Sequence, residues 1–355
     1  MILFLSQLSP NAKPAVYTTD CGDVEGLQTN EAPVKYALKR LEKNRQKLDR
    51  IIVLVTPTAR NTALAQFTET VKAASPDTEI IFVDIPDNVT TVELLGVTIG
   101  KLFPVAPEDS VIIETTGGYR NVINALTLFS RFLRHSGVNV LFSTFSDFNT
   151  KTVSDTREAD ELWELLDAVN LFAVTGNPKG ISKALKNVKG IPEKTEFVKA
   201  MREFYDTILC CKISRLDSAV EKLRGALDGI NNATIPENDS KLLVFRDLVR
   251  EIVAVKMAFI HEEHYLKPLV DWLLDNDYIQ QAVTVVWEKY KEQNGTWPNG
   301  KPKHVVPNVT KDQSEKVRTL RNNFNHASGD ELNDTTDNVK NFLNKVIMPR
   351  LRALP

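Results

Sequence analysis

Cysteine is scarce in this chain: there are three in 355 residues, at Cys21, Cys210 and Cys211. An odd count with one adjacent pair is not a disulfide framework and matches no zinc spacing. That usage fits a reducing, cytoplasmic location. Long apolar runs are also missing. MILFL at 1–5 and IIVLV at 51–55 fall far short of the roughly 20 residues a membrane-spanning helix needs, so no membrane partner is expected. The apolar start carries no basic segment before it and no small-residue cleavage site, so no signal peptide is expected. Excess charge of either sign is absent, with 44 Lys+Arg against 46 Asp+Glu and a net charge of −2. The chain as a whole is therefore no basic nucleic-acid coat, and any nucleic-acid site must be local. Two phosphate-binding signatures are missing as well: there is no G-x-x-x-x-G-K-[ST] and no G-x-G-x-x-G.

What is present is globular. Apolar residues make up 42%, aromatic residues 8% and charged residues 25%, which excludes wholesale disorder. The length predicts about two to three domains. The first 145 residues alternate short apolar runs, at 2–5, 51–55, 79–83, 111–114 and 138–143, with helical patterns at 31–47, 58–74, 90–102 and 118–135. Runs of this length are those of strands buried on both faces. Their alternation with helices predicts a Rossmann-like, doubly wound parallel sheet. After residue 156 the pattern is helical, at 158–174, 178–188, 194–230, 240–275, 278–292, 312–326 and 335–352, with the strongest loop signal at 295–307. The fold class is thus α/β followed by all-α. The domains are set at 1–155, a helical linker at 156–192, and 193–355.

Ligands of such sheets sit outside the carboxyl ends of the strands. That directs attention to Ser6 and Gln7, to Thr56 and Thr58, and to the segment ETTGGYRN at 114–121. The last ends a strand and opens a helix. Its two glycines let a ligand approach the backbone, the first N–H groups of the helix suit an anion, and Arg120 adds a planar cation. The same pattern also suits an ordinary tight βα turn with a surface arginine.

A second polar cluster lies near the C-terminus, on a helix pattern. Val317, Leu320 and Phe324 mark its buried face, while Arg318, Arg321, Asn322, Asn325 and His326 fall on the opposite arc. Between 301 and 326 there are six Lys/Arg and two Asp/Glu. Arg321 and His326 lie about 140° apart around the helix, so two copies across a dyad would be needed to line one cleft with both. A basic cleft with a titratable imidazole suits cleavage of an RNA phosphodiester; the alternative is a solvated polar face. Three other features have ordinary readings. HEEH at 261–264 spaces its histidines three apart, not four, and so lacks the zincin geometry. Asp160, Glu161 and Glu164 form a solvated helix face. Cys210 and Cys211 belong to a core, and Trp163, Trp272 and Trp287 occupy helix-packing positions.

Together, a strand–TTGGYRN–helix in a Rossmann-like first half and R-N-x-x-x-H near the end of a helical second half resemble one family: the CRISPR-associated ribonucleases that join a CARF domain to a HEPN domain. The resemblance covers the whole chain in architecture. It implies that the first domain binds a cyclic oligoadenylate through Ser6, Gln7, Thr56, Thr58, Thr116, Gly117, Gly118, Arg120 and Asn121, with the tetra-adenylate ring favoured over the hexa-adenylate. It further implies a homodimer whose Arg321, Asn322 and His326 cut single-stranded RNA with no metal or other cofactor. The chain departs from the family after its first strand, where LSQLS at 5–9 replaces a Gly-Thr turn. Two rival readings stand beside this one. The first is a CARF sensor whose helical domain is a non-catalytic partner-binding or regulatory module. The second, a dinucleotide-dependent enzyme, is disfavoured by the missing glycine fingerprint.

Overall fold

A computed structural model describes residues 1–11, 14–27, 29–97, 105–106, 108–186, 192–236, 239–294, 311–326 and 336–347. Within 290–294 and 323–326, and at residues 311, 314 and 336, the backbone alone is described. The chain divides into two compact units, Met1–Asp160 and Glu161–Pro355.

The first unit is a mainly parallel sheet between two layers of helix. Its strands are β1 (Ile2–Gln7), β2 (Ala15–Tyr17), β3 (Val24–Gly26), β4 (Arg50–Val55), β5 (Glu79–Asp84), β6 (Ser110–Glu114), β7 (Asn139–Asp147) and β8 (Thr152–Asp155). The main sheet runs β5-β4-β1-β6-β7-β8, and β2 and β3 form a separate pair. The first five strands in that order are parallel, and β8 turns back antiparallel to β7. Leu5 of β1 stands between Ile52 and Ile113. Side chains alternate across the sheet, as the two-residue period requires. Phe4, Ile51, Val53 and Val55 pack on one face with Tyr36 of α1 (Glu31–Lys43). Helix α2 spans Pro57–Thr62, and α3 (Leu64–Ala74) brings Phe67 to that same face. Leu3, Leu5, Ile52 and Ile113 pack on the other face, against Leu94 of α4 (Thr91–Val97) and Val122 and Phe129 of α5 (Arg120–His135).

The chain winds outward from β1 to β4 and β5, then returns to the other side of β1 to form β6. The order therefore reverses between β1 and β6, and the crevice at their carboxyl ends is where a doubly wound sheet binds its ligand.

The second unit is built of helices, with no strand among its described residues. It begins inside α6 (Arg157–Thr175), followed by α7 (Lys179–Ala184), α8 (Pro192–Leu209), α9 (Leu216–Asn232), α10 (Ser240–Leu248), α11 (Ala254–Lys256), α12 (Leu266–Asp275), α13 (Ile279–Asn294), α14 (Lys311–His326) and α15 (Thr336–Phe342). Its core is strongly aromatic. Trp272 lies 5.6 Å from Phe259, 6.1 Å from Phe204 and 5.9 Å from Tyr278, centroid to centroid. Its indole N–H donates to the Ala173 carbonyl at 2.9 Å. Leu165, Val169, Phe172, Ile181 and Leu185, from the span read as a linker, are buried in this same core.

Several expectations need correction. β1 continues through Ser6 and Gln7, so these residues end a strand and do not start a loop. The span 58–74 is two helices, broken at Ala63. The single helix expected at 194–230 breaks at Cys211, whose φ is +49°. There Cys211 N–H donates to Ile208 O at 3.1 Å and Lys212 N–H to Thr207 O at 2.9 Å, the paired bonds of a Schellman ending, with cysteine where glycine is usual. Cys210 is accordingly exposed and Cys211 half-buried, and neither belongs to a core. The single helix expected at 240–275 is α10, a π turn at Val249–Val253, α11, a 3-10 turn at Ala258–Ile260, and α12. Pro268, which lacks an amide donor, falls in the first turn of α12, where the missing bond costs nothing. The short strands β2, β3 and β8 were not expected.

Asp160 is no solvated residue: it accepts from Arg134 at 3.0 Å and from Ser143 at 3.1 Å. Glu161 pairs with Lys241 at 2.7 Å. Trp272 is buried and Trp287 partly so, but Trp163 is exposed. HEEH forms an exposed turn. The loop signal at 295–307 lies outside the described residues.

Candidate functional site

Two side chains end the central strand at the switch point, and both are fully buried. Ser6 Oγ donates to Glu114 Oε2 at 2.7 Å. Gln7 has no partner for either its amide nitrogen or its amide oxygen. A buried amide left unpaired costs about 1–3 kcal/mol on mutational scales, so an exception of this kind calls for a reason. Gly118 lies directly against it. A Cβ built at Gly118 would stand 2.1 Å from Gln7 Oε1 and 2.3 Å from Cδ, and Gly118 has a φ of +104° that disfavours side chains in any case. The glycine thus admits the glutamine.

Beneath the turn sits Glu114. Its Oε2 also accepts from Asn30 Nδ2 at 2.7 Å, and its Oε1 accepts from Thr116 N–H at 2.6 Å. Asn30 Oδ1 in turn accepts from Ser9 N–H at 2.7 Å. One carboxyl therefore ties the end of β6 to the end of β1 and to the start of α1. Complete burial pushes its pKa up, against the opposing pull of the bonds from Thr116, Ser6 and Asn30. Gly117 closes the turn tightly, since a Cβ there would come within 3.2 Å of Ser9 Cβ.

The start of α5 is open to an anion. Tyr119 takes the cap position with extended backbone and no side-chain cap, and no acid stands in the first turn. The early N–H groups keep their positive field. Arg120 and Asn121 are exposed. Asn121 is oriented by a bond from its Nδ2 to Val89 O at 3.3 Å. Thr116 is held in the turn, its Oγ1 accepting from Ser146 N–H at 2.8 Å. Thr56 is buried and caps α2, accepting from Ala59 N–H at 3.3 Å. Thr58 is exposed and donates to Asp87 at 3.2 Å, and Tyr119 OH donates to the same carboxylate at 3.3 Å. Partial desolvation opposes ionisation of Asp87, but bonds from Thr56, Thr58 and Tyr119 outweigh it and hold the pKa below the ordinary value.

Of the nine residues expected at this site, Thr58, Gly118, Arg120 and Asn121 form its exposed surface, while Ser6, Gln7, Thr56 and Gly117 are buried and Thr116 half-buried. Residue typing passed over Glu114, Asn30 and Asp87. For Glu114 the signal was legible, since a lone carboxylate closes the apolar strand SVIIE.

In the second unit, Val317 and Leu320 are buried as the helical spacing requires. Arg321 is half-buried. Its Nη2 donates to Glu288 Oε1 of α13 at 3.0 Å and its Nη1 to Asn322 Oδ1 at 3.1 Å. Its Nε is buried without a partner among the described residues. Arg318 pairs with Glu315. The Arg321 charge reaches Cys211: burial pushes that thiol up, and a bond with Thr284 and the nearby guanidinium pull it back. His326 is the last residue of α14; its side chain, like those of Phe324 and Asn325, lies outside the described residues. Among the described residues no group of three or more His, Cys, Asp or Glu is arranged to hold a metal, and no helix is long and apolar enough to cross a membrane.

No family model matches this chain and no curated protein does. Among solved structures the chain is similar to Enterococcus italicus Csm6 bound to cyclic hexa-2'-fluoro-hexa-dAMP. The identity is 11%, the match covers 99% of this chain and 92% of that one, and the TM-score is 0.35. At that distance the likeness fixes neither the function of this chain nor the roles of its residues.

Proposed function

We propose that the first unit senses a cyclic oligoadenylate and that the second is an endoribonuclease acting on single-stranded RNA, the chain working as a cytoplasmic homodimer. The observation that carries the sensor reading is the unpaired Gln7 amide beneath Gly118, at the switch-point crevice and beside an acid-free helix start. The amide is fully buried, so it pairs with a base or a ribose only once the Gly118 turn shifts off it, while the helix start with Arg120 can hold phosphate directly. A cyclic oligonucleotide with an even number of units can itself have two-fold symmetry. It can sit on the dyad of a dimer and meet the same residues twice.

In the second unit the cleavage needs no metal. The RNA 2′-OH attacks the adjacent phosphorus, the 5′-oxygen leaves, and 2′,3′-cyclic phosphate and 5′-OH ends result. His326 acts as general acid or base, Arg321 stabilises charge developing on the phosphoryl oxygens, and Asn322 orients the phosphate. Glu288 positions the Arg321 guanidinium. The Arg321–Glu288 pair also favours a second reading, in which Arg321 is structural and the helical unit is a non-catalytic regulatory module.

Cleavage of single-stranded RNA, measured with and without cyclic tetra- and hexa-adenylate, separates the two. The nuclease reading expects activator-dependent cutting that His326→Ala reduces by about 10²-fold or more. It also expects single-stranded DNA, which lacks the 2′-OH nucleophile, to remain uncut. Ring binding without cutting would establish the second reading, and neither would overturn both.

A further inference from the structure

We infer that the groove between α8 and α9 is a binding track for the sugar–phosphate backbone of RNA, leading toward Arg321; the inference rests on the reading of the second unit as a ribonuclease. The groove encloses about 800 Å³. Arg202 of α8 lines it, together with Lys212 and Arg215 of the turn that joins the two helices. All three are exposed, and among the described residues none has a hydrogen-bond or ion-pair partner for its side chain. The other lining cations differ. Lys199 is paired with Glu196 at 3.0 Å and Lys222 with Glu203 at 2.6 Å. Asp206 is the remaining lining carboxylate, so the groove keeps an excess of positive charge.

The glycine at 225 is the second observation. Gly225 stands inside α9, where glycine costs about 1 kcal/mol relative to alanine. No packing requires it there: a Cβ at 225 would meet nothing within 4 Å. Its physical effect is to leave the groove open, and the neighbouring Ala200 and Ala226 add only methyl groups.

Occupancy by a polyanion follows from the three unpaired cations. No aromatic side chain lines the groove among the described residues, so it offers no stacking platform and would hold phosphates without reading bases. Its position relates it to the proposed chemistry. The 3-10 turn Ile213–Arg215 packs on α13, and α13 packs on α14. Glu288 of α13 holds Arg321 of α14. Cys211, next to Lys212, already feels the charge of Arg321. A strand held by Lys212 and Arg215 is therefore delivered within one helix of the guanidinium.

The test is anisotropy of a fluorescein-labelled oligouridylate RNA with the full chain. It is run in a His326→Ala background so that the RNA stays intact. Arg202→Ala/Lys212→Ala/Arg215→Ala should weaken binding at least about tenfold. It should also flatten the slope of log affinity against log salt by about 2, at roughly 0.7 per phosphate contact for a single strand. Gly225→Glu, which puts a carboxylate into open space, should weaken binding by a comparable factor, and Gly225→Gln by less. Far-ultraviolet circular dichroism melts matching the parent show that the variants fold. Parental affinity and salt slope in both the triple variant and Gly225→Glu would overturn the groove and leave the nuclease reading standing. Competition by polyglutamate as strong as by RNA of equal charge would also overturn it, in favour of an acidic polypeptide. If the parent binds and cleaves no RNA with either ring present, the nuclease reading itself fails, and the groove falls with it.

Discussion

Gln7 and Gly118 occupy each other's space: the fully buried amide at the end of β1 fills the volume a side chain at 118 would take. Gly118→Ala therefore meets two obstacles, the overlap with Gln7 and a φ of +104°. It should destabilise the chain by about 1–3 kcal/mol, read as a lower urea midpoint. Adding Gln7→Ala should restore the steric part and leave the backbone part. Equal midpoints for Gly118→Ala and the parent would remove both obstacles, and a double variant no more stable than Gly118→Ala would mean that the two residues do not touch.

Gln7→Met tests the reason for the unpaired amide. A thioether chain of similar length removes two unsatisfied polar atoms, and replacing such groups by apolar ones is neutral or stabilising. The variant should unfold at the same or a higher urea concentration while losing affinity for the cyclic oligoadenylate at least about tenfold. That combination distinguishes an amide that pairs with the ligand on binding from a packing residue, whose replacement would leave binding unchanged.

Glu114 gives a pH dependence with a definite sign. Its folded pKa is raised by burial, so above the unfolded carboxyl value of about 4.3 the folded state holds a proton the unfolded state has released. The contribution to stability is complete below that value and is lost as pH rises through the raised folded pKa. Glu114→Gln does not titrate. The stability of the parent relative to the variant should therefore shrink as pH rises from 4.5 to 8. Carboxylates with lowered pKa values, such as Asp87, Asp109 and Asp217, act in both chains and cancel in the difference. A constant difference across that range would mean that Glu114 is ionised throughout.

The layering of the first unit was legible because its strands are apolar runs and its helices amphipathic, and both patterns follow from burial. The glycine turn was legible because it joins the two. Gln7 was marked as a site residue, but its burial was not visible: strand continuation past Leu5 depends on pairing with Val53 and Leu54 of β4, and no local pattern reports that. The break at Cys211 was missed because a left-handed residue at a helix end is read from glycine, and this position has cysteine. Asn30 and Asp87 were missed because ordinary turn residues acquire their role from chain segments distant in sequence. The pairing of Arg321 with Glu288, 33 residues away, is of the same kind.

Arg321→Lys should not be a conservative change. The forked guanidinium holds Glu288 through one terminal nitrogen and Asn322 through the other, and an ammonium offers a single point of contact. Activator-stimulated RNA cleavage should fall at least about tenfold, an interaction difference of roughly 1.4 kcal/mol. Stability should change by less than about 1 kcal/mol, since the pair is partly exposed. Parental cleavage by Arg321→Lys would reduce Arg321 to a source of diffuse charge.

Arg120 tests the coupling between the two units, because it belongs to the first and Arg321 to the second. Its side chain is exposed at the acid-free start of α5, where a phosphate would meet both the cation and the first N–H groups of the helix. Arg120→Ala removes a charge-assisted contact of about 1.5–3 kcal/mol, which weakens binding roughly 10- to 150-fold per site. A ring on a dyad would lose two such contacts and the shift would be larger. The activator concentration for half-maximal cleavage should rise accordingly, while cleavage without activator stays unchanged, because Arg120 touches neither RNA nor Arg321 in this scheme. Calorimetric titration of parent and variant with cyclic tetra-adenylate and with cyclic hexa-adenylate checks the binding half, and a cleavage dose–response checks the coupling half. An unaltered dose–response in Arg120→Ala would remove Arg120 from the site. If neither ring binds the parent more tightly than about 10 μM, a free energy near −7 kcal/mol, the reading of the first unit as a cyclic-oligoadenylate sensor fails.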